Sequence, residues 1–554
     1  MIDGRSHICE MLGRKLCSLQ SKLVIVLLII SITTRILLII VAPYIYHLDS
    51  YDYLNAANNF ALSGEIQFKI GLPFILFLGT FLRVFSESLN IFLASRICVL
   101  IISTLLVILT FLLGNRLSGN LLGLVAGLFV IFNPYILKYS VVPHNDIFAL
   151  TVGLLAFLFS TSRLKQSYLL SAFFIGLALL TRPDIGLALL FPVIALCYTR
   201  ISSLSIKKRI IIIILLYILP SFLAYFLARS QLYMSRFNLL ARFSMFFHLS
   251  NFRIVLDRLF TFSEISILNI ASIIFIGCGL LLAVSAIPSL FIRFTSKDKR
   301  TINLLSTKQL VAFNLFLFFL IYLVVVVVWG FPYTIEDGVL RVHSTLNDRR
   351  LIPLSFVLSY AFAYPIARAP AIMTKYKLAF SGNIAKPRTC VFLILIILTS
   401  SQLLSMDIYA SKISIDASAA RESIVKAANW LAIALGPNES ALVPTVVVFS
   451  LIEPELRGRL LSYKSIWDSA GIVLKADTTK DETLEVRSYL IEFLKSETRV
   501  KCVVRDWVDP YVNKIFGITA NDELMSLIKE REVIRFTLST GWSSQVTIYE
   551  CCYP

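Results

Sequence analysis

The chain has 554 residues, of which 57% are hydrophobic and 16% charged, with a mean hydropathy of +0.80. A soluble protein carries about a quarter of its residues as charges, so composition alone excludes an ordinary soluble enzyme. The formal net charge is +18, but the basic residues gather in short loops between apolar runs, a distribution that argues against nucleic acid as the partner.

Apolar blocks long enough to cross a hydrocarbon core, about 20 residues each, begin near Lys22, Ile91, Leu121, Asn145, Tyr168, Gly186, Arg209, Ile265, Gln309, Leu351 and Val391. They predict a polytopic α-helical membrane protein of about eleven transmembrane helices. The two spans flanking Arg182 are short. The first run is too long for a removed signal peptide and lacks a small-residue cleavage site, so it reads as a retained helix. Basic loops at Arg14–Lys22, Arg163–Lys165, Lys207–Arg209, Arg293–Lys308 and Lys375–Arg388 belong in the cytoplasm by the positive-inside rule. That places the N-terminus inside. Tyr44–Asn90, Arg229–Glu264, Phe331–Arg350 and everything after about Met406 then face the exoplasmic side of a plasma membrane or its equivalent.

The expected division is a membrane module over residues 1–407 and an exoplasmic soluble α/β domain over 408–554. In the latter, "RESIVKAANWLAIAL", "LEVRSYLIEFLK" and "NDELMSLIKERE" read as helices, and "ALVPTVVVF", "RVKCVVRD" and "QVTIYEC" as strands. The domain carries no glycine-rich phosphate loop. Asn438-Glu439-Ser440 is a glycosylation tripeptide on the exoplasmic side. Nine cysteines show no Cys-x-x-Cys or Cys/His spacing, which argues against zinc. Cys502, Cys551 and Cys552 could form a disulfide in an oxidising compartment. The arginine-punctuated stretch Arg229–Glu264 suits helices lying in the interface, with guanidinium groups at headgroup level and membrane lipid, or one lipid phosphate, as partner.

The densest polar cluster sits where the first helix ends. "HLDSYDYLNAANNFALSG" holds Asp49, Asp52 and Tyr53 at helical spacing, with Asp49 at the start, where a carboxylate can also cap free N–H groups. A second exoplasmic turn, "NPYILKYSVVPHNDIFAL", brings Lys138, Tyr139, His144 and Asp146 to the same face, and Asp146 too is placed to cap. "TRPD" adds Arg182 and Asp184, and "HSTLNDRRLIP" adds Asp348, Arg349 and Arg350. Arg35 lies inside the first span, where a charge is costly and is expected to face the interior, either paired as a structural group, the reading favoured, or reaching the exoplasmic site.

In order, these stretches resemble the GT-C class of integral-membrane glycosyltransferases, the group of glycosyltransferase family 39 type that contains protein O-mannosyltransferases and bacterial aminoarabinose transferases. The resemblance rests on Asp49 with Tyr53, Ala57 and Gly64, on "GLPFILFLGTFLRVF" and the helix carrying Arg96, on "NPYILKYSVVPHNDIFAL", and on "ALLTRPDIGLALLFPVIAL". It covers about the first 200 residues. Two departures stand out. Where many relatives have Asp-Glu, Ser50 follows Asp49, so Asp52 or Asp146 must supply any second carboxylate. The double tryptophan and aspartate of oligosaccharyltransferases is absent, which argues against transfer of a whole oligosaccharide to asparagine.

The resemblance implies transfer of a monosaccharide from a polyprenyl-phosphate donor, such as dolichyl phosphate mannose, to a protein, lipid or glycan acceptor in protein glycosylation or the cell envelope. Asp49 would be the general base and Asp146 the partner that orients base or acceptor, with inversion in a single displacement. The implied donor and acceptor contacts are Asp52, Tyr53, Arg96, Lys138, Tyr139, His144, Arg182, Arg349 and Arg350, the cations stabilising the phosphate leaving group. A divalent metal at His47 and His144 is imaginable, and no other cofactor is implied. The alternative is a lipid or glycolipid transporter or flippase without transferase chemistry, which should show repeated halves. No second copy of the first half is visible.

Overall fold

The structure is a computed structural model that describes residues 3–41, 48–66, 71–85, 90–162, 167–200, 205–220, 254–255, 307–329, 333–336, 339–342, 348–375, 423–444 and most of 449–552. The chain divides into two compact units. One comprises Met1–Ile40 and Ala56–Ile408, the other Val41–Asn55 and Tyr409–Pro554. The interfacial stretch Arg229–Glu264 falls almost wholly outside the described residues, as do the spans expected near Ile265 and Val391 and His47.

The first unit is helical: α1 (Asp3–Val41), α2 (Leu48–Ser63, whose first half belongs to the second unit), α3 (Leu72–Phe85), α4 (Ile91–Ser118), α5 (Asn120–Phe132), α6 (Pro134–Tyr139), α7 (Asn145–Ser160), α8 (Ser167–Thr181), α9 (Pro183–Arg200), α10 (Ile206–Ile213, continued by a π-helical turn to Ile218), α11 (Thr307–Trp329) and α12 (Ile352–Lys375). A strand pair, β1 (Tyr333–Glu336) and β2 (Val339–Val342), runs antiparallel between α11 and α12. Caps and turns set the boundaries. Asn90 opens α4 by accepting from Phe92 N at 2.8 Å, and Asn133 opens α6 by accepting from Tyr135 N and Ile136 N, with Pro134 at the first helical position. Gly119, at φ +103°, breaks α4 from α5 in a conformation only glycine adopts readily.

This unit has the polarity of an object dissolved in hydrocarbon. Ile29 and Ile40 on α1 are 60% and 67% exposed, and Phe173 and Phe191 expose more than half their surface, while Arg35, Ser31, Ser103 and Thr110 are fully buried. Water would penalise so many outward apolar side chains; lipid tails favour them. Gln20–Ile40 and Ile91–Ser118 are long and apolar enough to span a bilayer, and shorter apolar helices run through α3, α5, α7, α8, α9 and α11. The protein is an integral membrane protein.

Helix contacts inside the unit are made close by glycine. A Cβ on Gly114 would lie 2.6 Å from the Gly123 Cα, and one on Gly123 would lie 2.5 Å from the Phe111 carbonyl oxygen, so α4 and α5 touch backbone to backbone. Gly186 packs in the same way on Leu179, closing the α8–α9 hairpin.

The second unit contains a mixed five-stranded sheet in the order β4-β3-β5-β7-β6, from β3 (Ser440–Val443), β4 (Leu460–Ser462), β5 (Val500–Asp506), β6 (Ile528–Thr537) and β7 (Ser543–Cys551). β4, β3 and β5 are parallel, and β7 and β6 continue antiparallel. Alternation along the strands feeds two apolar layers. Ala441, Val443, Cys502, Val504 and Ile548 pack with Ala427, Leu431 and Leu435 around helix α13 (Ser423–Ala434). Leu442, Val503, Tyr549 and Cys551 pack with Val486, Leu490 and Leu494 of α14 (Lys480–Ser496). The unit is an α/β/α sandwich.

One element differs from expectation. The helix read over "NDELMSLIKERE" covers only Glu523–Leu527, and the chain from Ile528 is strand β6. Its Lys, Glu and Arg favour helix locally, but pairing along the whole of β7 decides the conformation. Cys502 and Cys551 belong to opposite apolar layers and are free thiols, as is exposed Cys552, so the disulfide envisaged among them is not formed.

Replacing Gly123 by Leu should lower the melting temperature of the detergent-solubilised protein by an amount corresponding to about 1–3 kcal/mol, because the α4–α5 contact has no room for a side chain. In the folded protein, burial pushes the Cys502 thiol up to about 12. The thiolate is therefore scarce at pH 8, and a maleimide should label Cys552 rapidly and Cys502 only after unfolding.

Candidate active site

Three helix ends of the first unit bring charged side chains together: the start of α7, the α8–α9 turn at Arg182, and the short 3-10 turn Asp348–Leu351 that opens α12. Asp146 lies in the first turn of α7, inside the helix rather than at its cap. The cap position is His144, whose side chain makes no capping bond. The capping role open to Asp146 is thus not the one it plays. Its Oδ1 is 2.9 Å from Arg182 Nη1, and its Oδ2 is in close contact with His144 Nδ1, all three side chains being buried.

The contacts continue in both directions. Arg182 donates from Nε and Nη2 to the two oxygens of Asp184, each at 3.0 Å, a bidentate pair that fixes the guanidinium plane. Asp184 also receives Arg350 Nη1 in a close contact. At the other end, Arg349 Nη1 is 2.8 Å from His144 Nε2. An arginine can only donate, so His144 Nε2 must be the acceptor and Nδ1 must carry the proton that faces Asp146. The contacts run Arg349, His144, Asp146, Arg182, Asp184, Arg350, and the adjacency of the two outer arginines in the chain closes them into a ring.

Three guanidinium groups and two carboxylates thus gather at one place in the first unit. Guanidinium groups in a partly buried, low-dielectric position interact strongly with a bound anion. The N-terminal ends of α7 and α9 meet here, and their partial positive charge favours an anion.

A residue that the sequence reading missed completes the site. Tyr322 of α11 is fully buried, within electrostatic reach of Arg182, Asp146 and Arg349, and its hydroxyl makes no hydrogen bond among the described residues. Its signal in the sequence was a single phenol in the run "FFLIYLVVVVV".

The other expected residues are distributed as follows. Lys138 is half-buried with Nζ 5.6 Å from the centre of the Tyr139 ring, and Tyr139 packs edge-on against His144 at 5.8 Å. Arg96 is buried in α4 and donates to the carbonyls of Val141 and Ile39 at 3.2 and 3.4 Å. Asp49, Asp52 and Tyr53 lie on α2, Asp52 exposed and Tyr53 half-buried, while the side chain of Asp49 is outside the described set. Among the described residues, no group of three or more His, Cys, Asp or Glu side chains is arranged to hold a metal ion. Arg35 is fully buried and hydrogen-bonded inside the unit.

Changing Asp146 to Leu should destabilise the protein, since it removes one of the two carboxylates that face the buried Arg182. The double change Asp146→Leu with Arg182→Met should recover part of that loss. Melting in detergent across the four combinations gives the coupling, and strict additivity would show that the pair does not interact.

No family model and no curated protein matches the sequence. Among solved structures, the chain is similar to ArnT of Cupriavidus metallidurans bound to undecaprenyl phosphate, at 12% identity over 95% of this chain and 97% of that one, with a TM-score of 0.49. It is also similar to the archaeal oligosaccharyltransferase AglB of Archaeoglobus fulgidus in complex with an inhibitory peptide and a dolichol-phosphate, at 12% identity over 95% of this chain and 74% of that one, with a TM-score of 0.48. Both are GT-C glycosyltransferases. These similarities assign no chemistry to individual residues.

Proposed function

We propose that the protein is a membrane glycosyltransferase that moves a monosaccharide from a polyprenyl-phosphate donor to an acceptor hydroxyl at the outer or lumenal face. The observation that carries this reading is the three guanidinium groups held together at converging helix ends. A lipid-phosphate leaving group gains negative charge as its bond to the sugar breaks, and pre-aligned guanidinium groups stabilise that charge without having to reorganise. The ordered GT-C-like motifs of the first 200 residues supply the sugar and the lipid.

In this reading Arg349 and Arg350, the more exposed members of the ring, face the phosphate, and the Tyr322 hydroxyl donates to it. Asp184 and Asp146 hold Arg182 in one plane, and His144 holds Arg349, so Asp146 is a positioning residue rather than a proton acceptor. Asp49, from the motif match, is the general base. It takes the proton of the acceptor hydroxyl as that oxygen bonds to the anomeric carbon, while the bond to phosphate breaks on the opposite face and the lipid phosphate leaves. One displacement inverts the anomeric centre. The first helix starts inside and the α/β unit is exoplasmic, where it can bind a protein, lipid or glycan acceptor.

The test is to incubate purified protein with a panel of radiolabelled polyprenyl-phosphate sugars and to follow release or transfer of the sugar. One donor should be consumed. The Asp49→Asn variant should lose roughly 10²–10⁴-fold in rate while keeping its melting temperature. Arg349→Met and Arg350→Met should raise KM for that donor. Consumption of no donor by the wild type, or lipid transport unaffected by all three changes, would overturn the assignment.

A further inference from the structure

The turn that carries His144 is buried from Tyr139 to Asn145, an unusual place for a loop, since its backbone groups need partners. Those partners come from the first two spans. Arg35 of α1 donates from Nε to Ser103 Oγ at 2.7 Å, and the Ser103 hydroxyl shares its one proton between the Ser140 carbonyl at 3.0 Å and the Leu100 carbonyl of its own helix at 2.9 Å. Arg96, two turns from Ser103 on the same helix, donates to the next carbonyl, that of Val141, at 3.2 Å. Two consecutive carbonyls of the turn are thus held by two arginines, and His144 follows three residues later.

Arg35 is an expensive way to do this. Its guanidinium is fully buried in a membrane helix, and its other contacts are to the carbonyl and hydroxyl of Ser31 at 3.1 and 2.7 Å. No carboxylate faces it among the described residues, and Nη2 has no partner. A buried cation with only neutral partners destabilises the fold that holds it, and an apolar side chain of similar length would serve stability better.

We propose that Arg35 is a positioning residue for the charged ring: through Ser103 it holds the Ser140 carbonyl and thereby fixes the turn that presents His144 to Arg349 and Asp146. The effect on turnover rests on the transferase reading; the effect on His144 does not. Arg96 holds the adjacent carbonyl and also caps the end of α1 through Ile39, so the two arginines act on one turn from two sides.

The experiment compares wild type, Arg35→Met, Arg35→Lys and Ser103→Ala in detergent by three measurements: melting temperature, the ¹⁵N resonances of His144 (assigned by loss in His144→Gln), and turnover of the labelled lipid-phosphate sugar. Wild-type His144 should show the Nδ1–H tautomer. Arg35→Met should melt at or above the wild-type temperature, yet shift the His144 resonances and lower kcat roughly 10–100-fold with KM little changed, the loss a small misplacement produces. Ser103→Ala should shift His144 in the same sense but melt lower, because it strips a partner from a charge that is still buried. Arg35→Lys should restore part of both signals. Two results would overturn the proposal: an unchanged His144 spectrum in Arg35→Met, or an Arg35→Met protein that loses melting temperature in step with activity, which is the mark of a purely structural charge. If the wild type consumes no donor, the transferase reading falls and the His144 spectrum alone decides whether Arg35 positions the turn.

Discussion

Asp146 shared between Arg182 and His144 is the interaction on which the first unit's charged architecture depends. A carboxylate at zero exposure is tolerable only if cations and N–H donors replace water around it. Once it is there, it dictates the rest. It aligns Arg182, which needs Asp184 for its remaining donors, and it sets the protonated nitrogen of His144, which leaves the other nitrogen to receive Arg349. These side chains come from three different helix ends, so the same contacts that balance charge also fix how α7, α9 and α12 meet.

The cost of this arrangement is offset by the medium. In water, exposed ion pairs are worth little, because solvent competes for both partners. Between membrane helices that competition is weaker, and a charged hydrogen-bond network becomes specific and rigid. The second unit shows the contrast. There Glu550 meets Lys501 and Arg531 at 3.3 and 3.5 Å on a partly exposed surface, and two apolar layers on either side of the sheet supply the stability instead.

Much of this was legible in the sequence because bilayer length and strand alternation are strong periodic signals. Span starts near Lys22, Ile91, Leu121, Asn145, Tyr168, Gly186, Arg209, Gln309 and Leu351 all coincide with described helices. His144, Asp146, Arg182, Arg349 and Arg350 stood out as polar residues at helix ends, but nothing in their spacing showed that they meet, since Arg349 and His144 are 205 positions apart. The strand β6 was hidden because "IKERE" has helical propensity and its pairing partner comes later in the chain. Tyr322 was hidden because a tyrosine in a greasy run looks like any aromatic until the charges around it are known. Arg35 was visible as a costly residue, and its link to Ser140 was not.

Arg349 and Arg350 are neighbours in a single 3-10 turn, yet they reach different hairpins, one toward His144 and the other toward Asp184. A 3-10 turn rotates about 120° per residue, so this divergence is a matter of register. Adding or deleting one residue ahead of α12 would swing both guanidinium groups away from their partners together, although every residue type was preserved. Substitutions by similar side chains can be absorbed at such a junction, whereas changes of length cannot. The dipeptide therefore works as a two-pronged peg whose spacing from α12 is part of the design.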